Sequence, residues 1–205
     1  IVQNPDDDNL LRQAGVPQSR LRMVRGSGVD TSVFSPGPKS PEPICVVMAT
    51  RILWDKGVGE FVEAARSLKL AVPEVRFILV GEPDLDNPAS VPKTTLKAWQ
   101  EDNVVEWWGH SDAMAKIFQM AHVVCLPSYR EGLPKVLIEA AACGKPIVTT
   151  DVPGCREVVR DGDNGLLVPV RDSKALASAL LRLIENSELR TEMGKRSREI
   201  ALAEF

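Results

Sequence analysis

From residue 42 onward the chain alternates short, unbroken apolar runs with stretches in which apolar positions recur every three or four residues. The runs are Ile44–Ala49, Val75–Val80, Val104–Trp107, His122–Leu126, Pro146–Thr150 and Gly165–Val168. The periodic stretches are Val58–Leu70, Thr94–Glu101, Ala113–Met120, Pro134–Cys143 and Ser173–Glu185, followed by a charged helix at Leu189–Ala203. A run that is apolar at every position predicts a strand covered on both faces, whereas strict alternation predicts one wet face. Strand–helix alternation predicts a parallel sheet joined by right-handed crossovers. The expected fold is therefore α/β, a Rossmann-like doubly wound parallel sheet of about six strands in the order 3-2-1-4-5-6.

Chemical punctuation supports some of these ends. Pro134 suits a first helical position, because the N–H it lacks is not needed there. Gly144, with Pro146 just beyond, marks the stop of the helix before it. Residues 1–41 behave differently. Ile1–Gln3 predicts the tail of a strand, and Asp6–Ala14 a short helix whose acidic start suits its dipole. Pro36, Pro38, Pro41 and Pro43 then crowd together as a linker would. The expected organisation is 1–41 as the tail of a preceding domain plus linker, with a boundary at Phe34–Pro43, and 42–205 as the Rossmann-like domain.

Composition narrows the function classes. The chain has 205 residues, 44% hydrophobic and 26% charged, with a net charge of −3. That is ordinary globular composition with no basic field for nucleic acid. No apolar stretch approaches the ~20 residues of a membrane span. The start has neither the basic nor the apolar region of a signal peptide and reads as the middle of a protein. Cys45, Cys125, Cys143 and Cys155 form no C-x-x-C pair, so reduced structural thiols and a cytoplasmic setting are expected.

Candidate chemistry gathers where strands end. After the fourth run comes Pro127-Ser-Tyr-Arg-Glu-Gly-Leu-Pro-Lys-Val-Leu-Ile-Glu139. Ligands of open α/β sheets sit at the carboxyl ends of strands, and free amides with a positive dipole end attract phosphate at helix N-termini. Gly132 permits close approach of backbone, and Leu133, Lys135 and Val136 offer amides that Pro134 cannot. Glu131 at the mouth can accept from sugar hydroxyls, and Glu139, deeper in the helix, from a ribose diol. On spacing alone, a solvent-facing Glu131 and a Glu139 paired with a nearby cation are the plainer reading. After the first run, Arg51 and Lys56 could grip phosphate, Arg as a fork and Lys as a mobile point charge, or simply line a solvated loop.

Taken together the segments are more specific. PSYREGLPKVLIEAAACGKPIVTTDVPGCREVV resembles the E-x7-E region of retaining family 4 glycosyltransferases, with Glu131 and Glu139 as its two acids. ATRILWDKG is similar to the Arg/Lys loop of that family, VRGSGVDTSVFSP to its interdomain linker, and VEWWGHSDAMAKIFQMAHVVCLPS to its base-binding region. The branch it most resembles builds bacterial polysaccharides and O-antigens on lipid carriers. The resemblance implies the GT-B architecture, two Rossmann-like domains with the donor on the second. It implies Arg51 and Lys56 on the donor diphosphate, and Glu131 on the transferred sugar near its anomeric carbon. The amides of Leu133, Lys135 and Val136 would contact sugar hydroxyl or phosphate beside Gly132, Glu139 the ribose, and Gly109 and His110 the base, expected to be uracil. The donor would be a UDP-sugar, with no metal and no other cofactor. The acceptor, a saccharide or lipid-linked one, would be met through the missing N-terminal domain, at the inner face of the membrane when lipid-linked. The chain alone is expected to bind donor without turnover.

Alternatives stay open at this point: a non-catalytic nucleotide- or carbohydrate-binding module, or a nucleotide-sugar epimerase or phosphorylase of the same build. Three Asp-x-Asp patterns, at Asp6–Asp8, Asp84–Asp86 and Asp161–Asp163, invite a metal reading but are better read as a helix start, a loop and a turn. Gly26-Ser27-Gly28 lacks the rest of a dinucleotide fingerprint. His122 and Cys125 are expected in the core, and of Trp107 and Trp108, which face opposite sides of a strand, one is expected there.

Overall fold

The computed structural model describes residues 1–26, 28–38 and 42–205. Its centre is a six-stranded parallel sheet: β1 (Cys45–Ala49), β2 (Arg76–Val80), β3 (Glu106–Gly109), β4 (Val123–Leu126), β5 (Ile147–Thr150) and β6 (Gly165–Val168), in the order β3-β2-β1-β4-β5-β6. All five residues of β1 are buried, as a strand paired on both edges and covered on both faces requires. The expected topology is the observed one. The third strand lies two residues later than its apolar run predicts, because Val104 and Val105 bury as a lead-in while Trp107 and Trp108 enter the ladder. Trp107 packs on the core and its indole N–H reaches the Gly81 carbonyl at 2.8 Å. Trp108 is half exposed under the Arg76 guanidinium, 5.7 Å away.

Among the described residues, eight α-helices carry the crossovers and ends: α1 (Pro5–Gln13), α2 (Val58–Lys69), α3 (Lys93–Glu101), α4 (Met114–Met120), α5 (Lys135–Ala142), α6 (Pro153–Arg156), α7 (Ser173–Glu185) and α8 (Ser187–Glu204). In α2, Val58, Phe61, Val62, Ala65 and Leu68 are buried, a stripe at helical spacing that docks α2 beside α7. Right-handed crossovers run outward from β1 and β4 in opposite directions, so α4, α5 and α8 cover the other face. The switch of direction between β1 and β4 opens a crevice at the carboxyl ends of the strands.

Residues 1–26 pack on this domain. Val2 bridges to Met23 as an isolated pair, so the strand tail expected at Ile1–Gln3 is reduced to one bridge. Asn4 caps α1, whose span agrees with the expected helix. The guanidinium of Arg198 on α8 donates to the carbonyls of Phe34 at 2.8 Å and Ala142 at 2.6 Å, tying Phe34 to α5 and α8. Residues 39–41 within the expected Phe34–Pro43 boundary, and Ser27 of the Gly-Ser-Gly triplet, lie outside the described residues.

Candidate functional site

The loop after β1 enters a short 3-10 turn, Trp54–Lys56, and then turns sharply through Gly57 into α2. Gly57 has φ +76°, and a side chain there would strike the Pro127 carbonyl, so the position requires glycine and presses this loop against the one after β4. Further hydrogen bonds join them: the Tyr129 amide donates to the Asp55 carbonyl at 2.9 Å and the Ser128 hydroxyl to the same oxygen at 3.4 Å. The result is an ion pair between Lys56 Nζ and Glu131 Oε1 at 2.7 Å, with side chains only 17% and 13% exposed. The plainer expectation of a solvent-facing Glu131 is overturned, because the meeting of the two loops draws it inward.

Tyr129 braces the same junction. Its hydroxyl donates to Glu60 on α2 at 2.6 Å, and the Arg171 guanidinium lies 4.7 Å over its ring. Burial, reinforced by the Glu60 carboxylate, pushes its phenol up to about 12.

Pro134 stands one residue before α5 as its cap, not as its first helical residue, with φ −74° and ψ 103°. Its carbonyl accepts from Leu137 at 3.0 Å and Ile138 at 3.4 Å, which leaves the Lys135 and Val136 amides without intrahelical partners. Leu133 sends its side chain into the core, so only its backbone faces the loop. One and a half turns along, Glu139 is largely buried and pairs with Lys135 at 3.5 Å. Burial raises the Glu139 carboxyl above the ordinary glutamate range, with Lys135 partly opposing it.

Glu139 and Val136 form one wall of a cleft of about 320 Å³ at the carboxyl ends of β1, β2 and β3, facing Arg51 and His110. Thr50, Gly81, Glu82, Ser111 and Met114 also line it. Arg51 is exposed and paired with Asp84 at 3.2 Å. Gly109 ends β3 with φ +67° just before His110. Of the expected residues, Arg51, His110, Val136 and Glu139 line the cleft, while Lys56, Gly109, Glu131, Gly132, Leu133 and Lys135 do not. Neither Trp107 nor Trp108 lines the cleft. Glu82 and Ser111 escaped the reading of the sequence; the signal that could have found them is their place just past β2 and β3. A larger hollow, about 850 Å³, lies at the other ends of the strands among Pro36, His122, Pro146 and Arg190. It gathers none of the expected site residues.

Cations and helix amides at a switch point, with two carboxylates as acceptors, are an arrangement able to hold an anion flanked by hydroxyls. The family profile described as glycosyl transferases group 1 matches residues 30–200. The chain belongs to that family. A group 1 relative from Campylobacter jejuni, N,N'-diacetylbacillosaminyl-diphospho-undecaprenol alpha-1,3-N-acetylgalactosaminyltransferase, is 30% identical, the match covering 98% of this chain and 55% of that protein. Among solved structures, sucrose-phosphate synthase from Thermosynechococcus elongatus superposes with TM-score 0.84 at 27% identity, covering 98% of this chain and 53% of that one. Anabaena HepE in complex with UDP and glucose superposes with TM-score 0.86 at 21% identity over 100% of this chain and 58% of that one, a likeness of fold. The group 1 chain therefore spans about half the length of the relatives it matches.

Proposed function

We propose that this group 1 chain is the donor half of a retaining hexosyltransferase that takes a nucleoside-diphosphate sugar, with UDP-sugar as the leading donor. The observation that carries this is the buried Glu139 carboxylate on a cleft wall opposite Arg51 and His110, one turn from the free amides of Lys135 and Val136. Glu139 accepts from the ribose hydroxyls, and His110 with Gly109 borders the base. Arg51, Lys56 and the helix amides take the diphosphate and stabilise it as it departs, so preorganised charge serves where a metal could otherwise act. Glu131 takes sugar hydroxyls and supports positive charge near the anomeric carbon. Its pairing with Lys56 holds it aimed before donor arrives.

In this reading residues 1–41 are the tail of an acceptor-binding domain plus linker, and 42–205 the donor domain. The acceptor is a saccharide or lipid-linked sugar met through the other half of the protein, in the cytoplasm at the inner membrane face. Among the described residues no helix is long and apolar enough to cross a membrane. Calorimetric titration of the chain with UDP, GDP and ADP, with and without chelator, tests the proposal. Chelator-insensitive binding of one of them, weakened in Glu139→Ala and in Arg51→Ala, is expected. Wild-type binding that the two substitutions leave unchanged would sink it.

A further inference from the structure

The loop Glu131–Leu133 is gripped by chain far from it in sequence. On one side lies α6, where a side chain on Gly154 would strike the Glu131 and Gly132 carbonyls. On the other lies the N-terminal segment. Asn4, fully buried, donates from Nδ2 to the Gly132 carbonyl at 2.8 Å. The same amide group donates to Asp7 Oδ2 at 2.9 Å, while Oδ1 accepts the Asp7 N–H at 2.8 Å and so caps α1. The orientation is dictated by chemistry: only the oxygen can accept from a backbone N–H, so the NH2 must face Gly132.

The two tasks select different residues. Capping alone is done as well by Ser or Asp. Ser is too short to reach Gly132 while capping, and Asp would set a carboxylate against a carbonyl oxygen and Asp7. Only Asn does both. The segment that bears it is itself anchored, by Val2 amide to Arg22 carbonyl at 3.0 Å and Val24 amide to Val2 carbonyl at 2.9 Å. Arg156 of α6 reaches Asp6 of α1 at 3.4 Å, closing the clamp across the loop.

We infer that Asn4 is a positioning residue for the sugar half of the donor site, fixing Glu131–Leu133 through the Gly132 carbonyl; the inference rests on the reading of that loop as the sugar-binding one. Asn4 touches no substrate. It sets the height and tilt of the peptide that follows Glu131, and without it the half-buried Gly132 carbonyl loses this partner.

The test compares the wild-type chain with Asn4→Ser, which keeps the cap and removes the strut. Each is titrated with the nucleoside diphosphate that the wild type binds among UDP, GDP and ADP, and with the glucose ester of that nucleotide. The bare nucleotide should bind both proteins within about twofold, while the glucose ester binds the variant about three- to tenfold more weakly. Equal weakening of both ligands, or of neither, overturns the inference. Amide hydrogen exchange supplies an arm that needs no ligand: amides 131–133 should exchange about tenfold faster in the variant, with β1 and β4 unchanged. Unchanged loop exchange overturns the inference whatever binds. Failure of the wild type to bind any of the three nucleotides defeats the donor reading instead, and the exchange result still decides whether Asn4 holds the loop.

Discussion

Two ion pairs stand a few residues apart in the same site and differ in kind. Lys56–Glu131 is at 2.7 Å with side chains 17% and 13% exposed, locked between loops that touch through Gly57 and Tyr129. Arg51–Asp84 is at 3.2 Å with side chains 63% and 34% exposed, on an open rim. The first cannot separate without stranding a charge in a low-dielectric place; the second can exchange partners with water or an incoming anion at little cost. The Lys56–Glu131 side of the site is thus preformed, and the Arg51 rim is adjustable. Under the proposed function, such a division would hold Glu131 in one pose while leaving Arg51 free to follow the departing diphosphate.

The sharpest way to break this contrast is Lys56→Met, which leaves Glu131 buried and unpaired. Urea unfolding should show a loss of about 3 kcal/mol or more, with much of it recovered in Lys56→Met/Glu131→Gln. A loss no larger than that of an exposed pair would mean that the two ends do not differ. Next in size is Glu139→Ala, which removes a carboxylate acceptor from the cleft. Nucleotide affinity should drop about ten- to a hundredfold in titration calorimetry, the range for a hydrogen bond to a charged group.

Glu139 also predicts a pH dependence. Its carboxyl is raised by burial, so the charged form is the disfavoured one. Its contribution to stability therefore rises as pH falls through the raised value, while the ionised acceptor is lost over that window. Nucleotide affinity should weaken as pH falls through that raised value, and Glu139→Gln should flatten the slope. A slope unchanged in Glu139→Gln assigns the titration to another group. The smallest effect belongs to Asp84→Asn. Stability should move by less than about 0.5 kcal/mol, and nucleoside-diphosphate affinity should increase about twofold at low salt, the gain fading as salt screens the rim.

What the sequence made legible followed periodicity. Six apolar runs became six strands in the expected order because a buried parallel strand must be apolar at every position, a constraint visible within five residues. Where two signals competed, boundaries moved: Val104–Val105 and Trp107–Trp108 are all apolar, and only the ladder with β2 decides which pair enters the strand. Glu131 and Glu139 could be singled out by their place at a strand end and helix start. Which cation faces which acid could not, because Lys56–Glu131 spans 75 residues and depends on how two loops meet. Asn4 to Gly132 spans 128 residues, and an asparagine before an acidic helix start announces only a cap.

The proposed function requires one ligand to bridge the open cleft and the locked loop. Amide shift mapping of the isotopically labelled chain with a UDP-sugar tests it most directly. The predicted result is a single saturating set of perturbations at Arg51, His110, Gly132, Val136 and Glu139. Perturbations confined to the opposite ends of the strands, around His122 and Lys145, or sparing both Gly132 and Glu139, would contradict it.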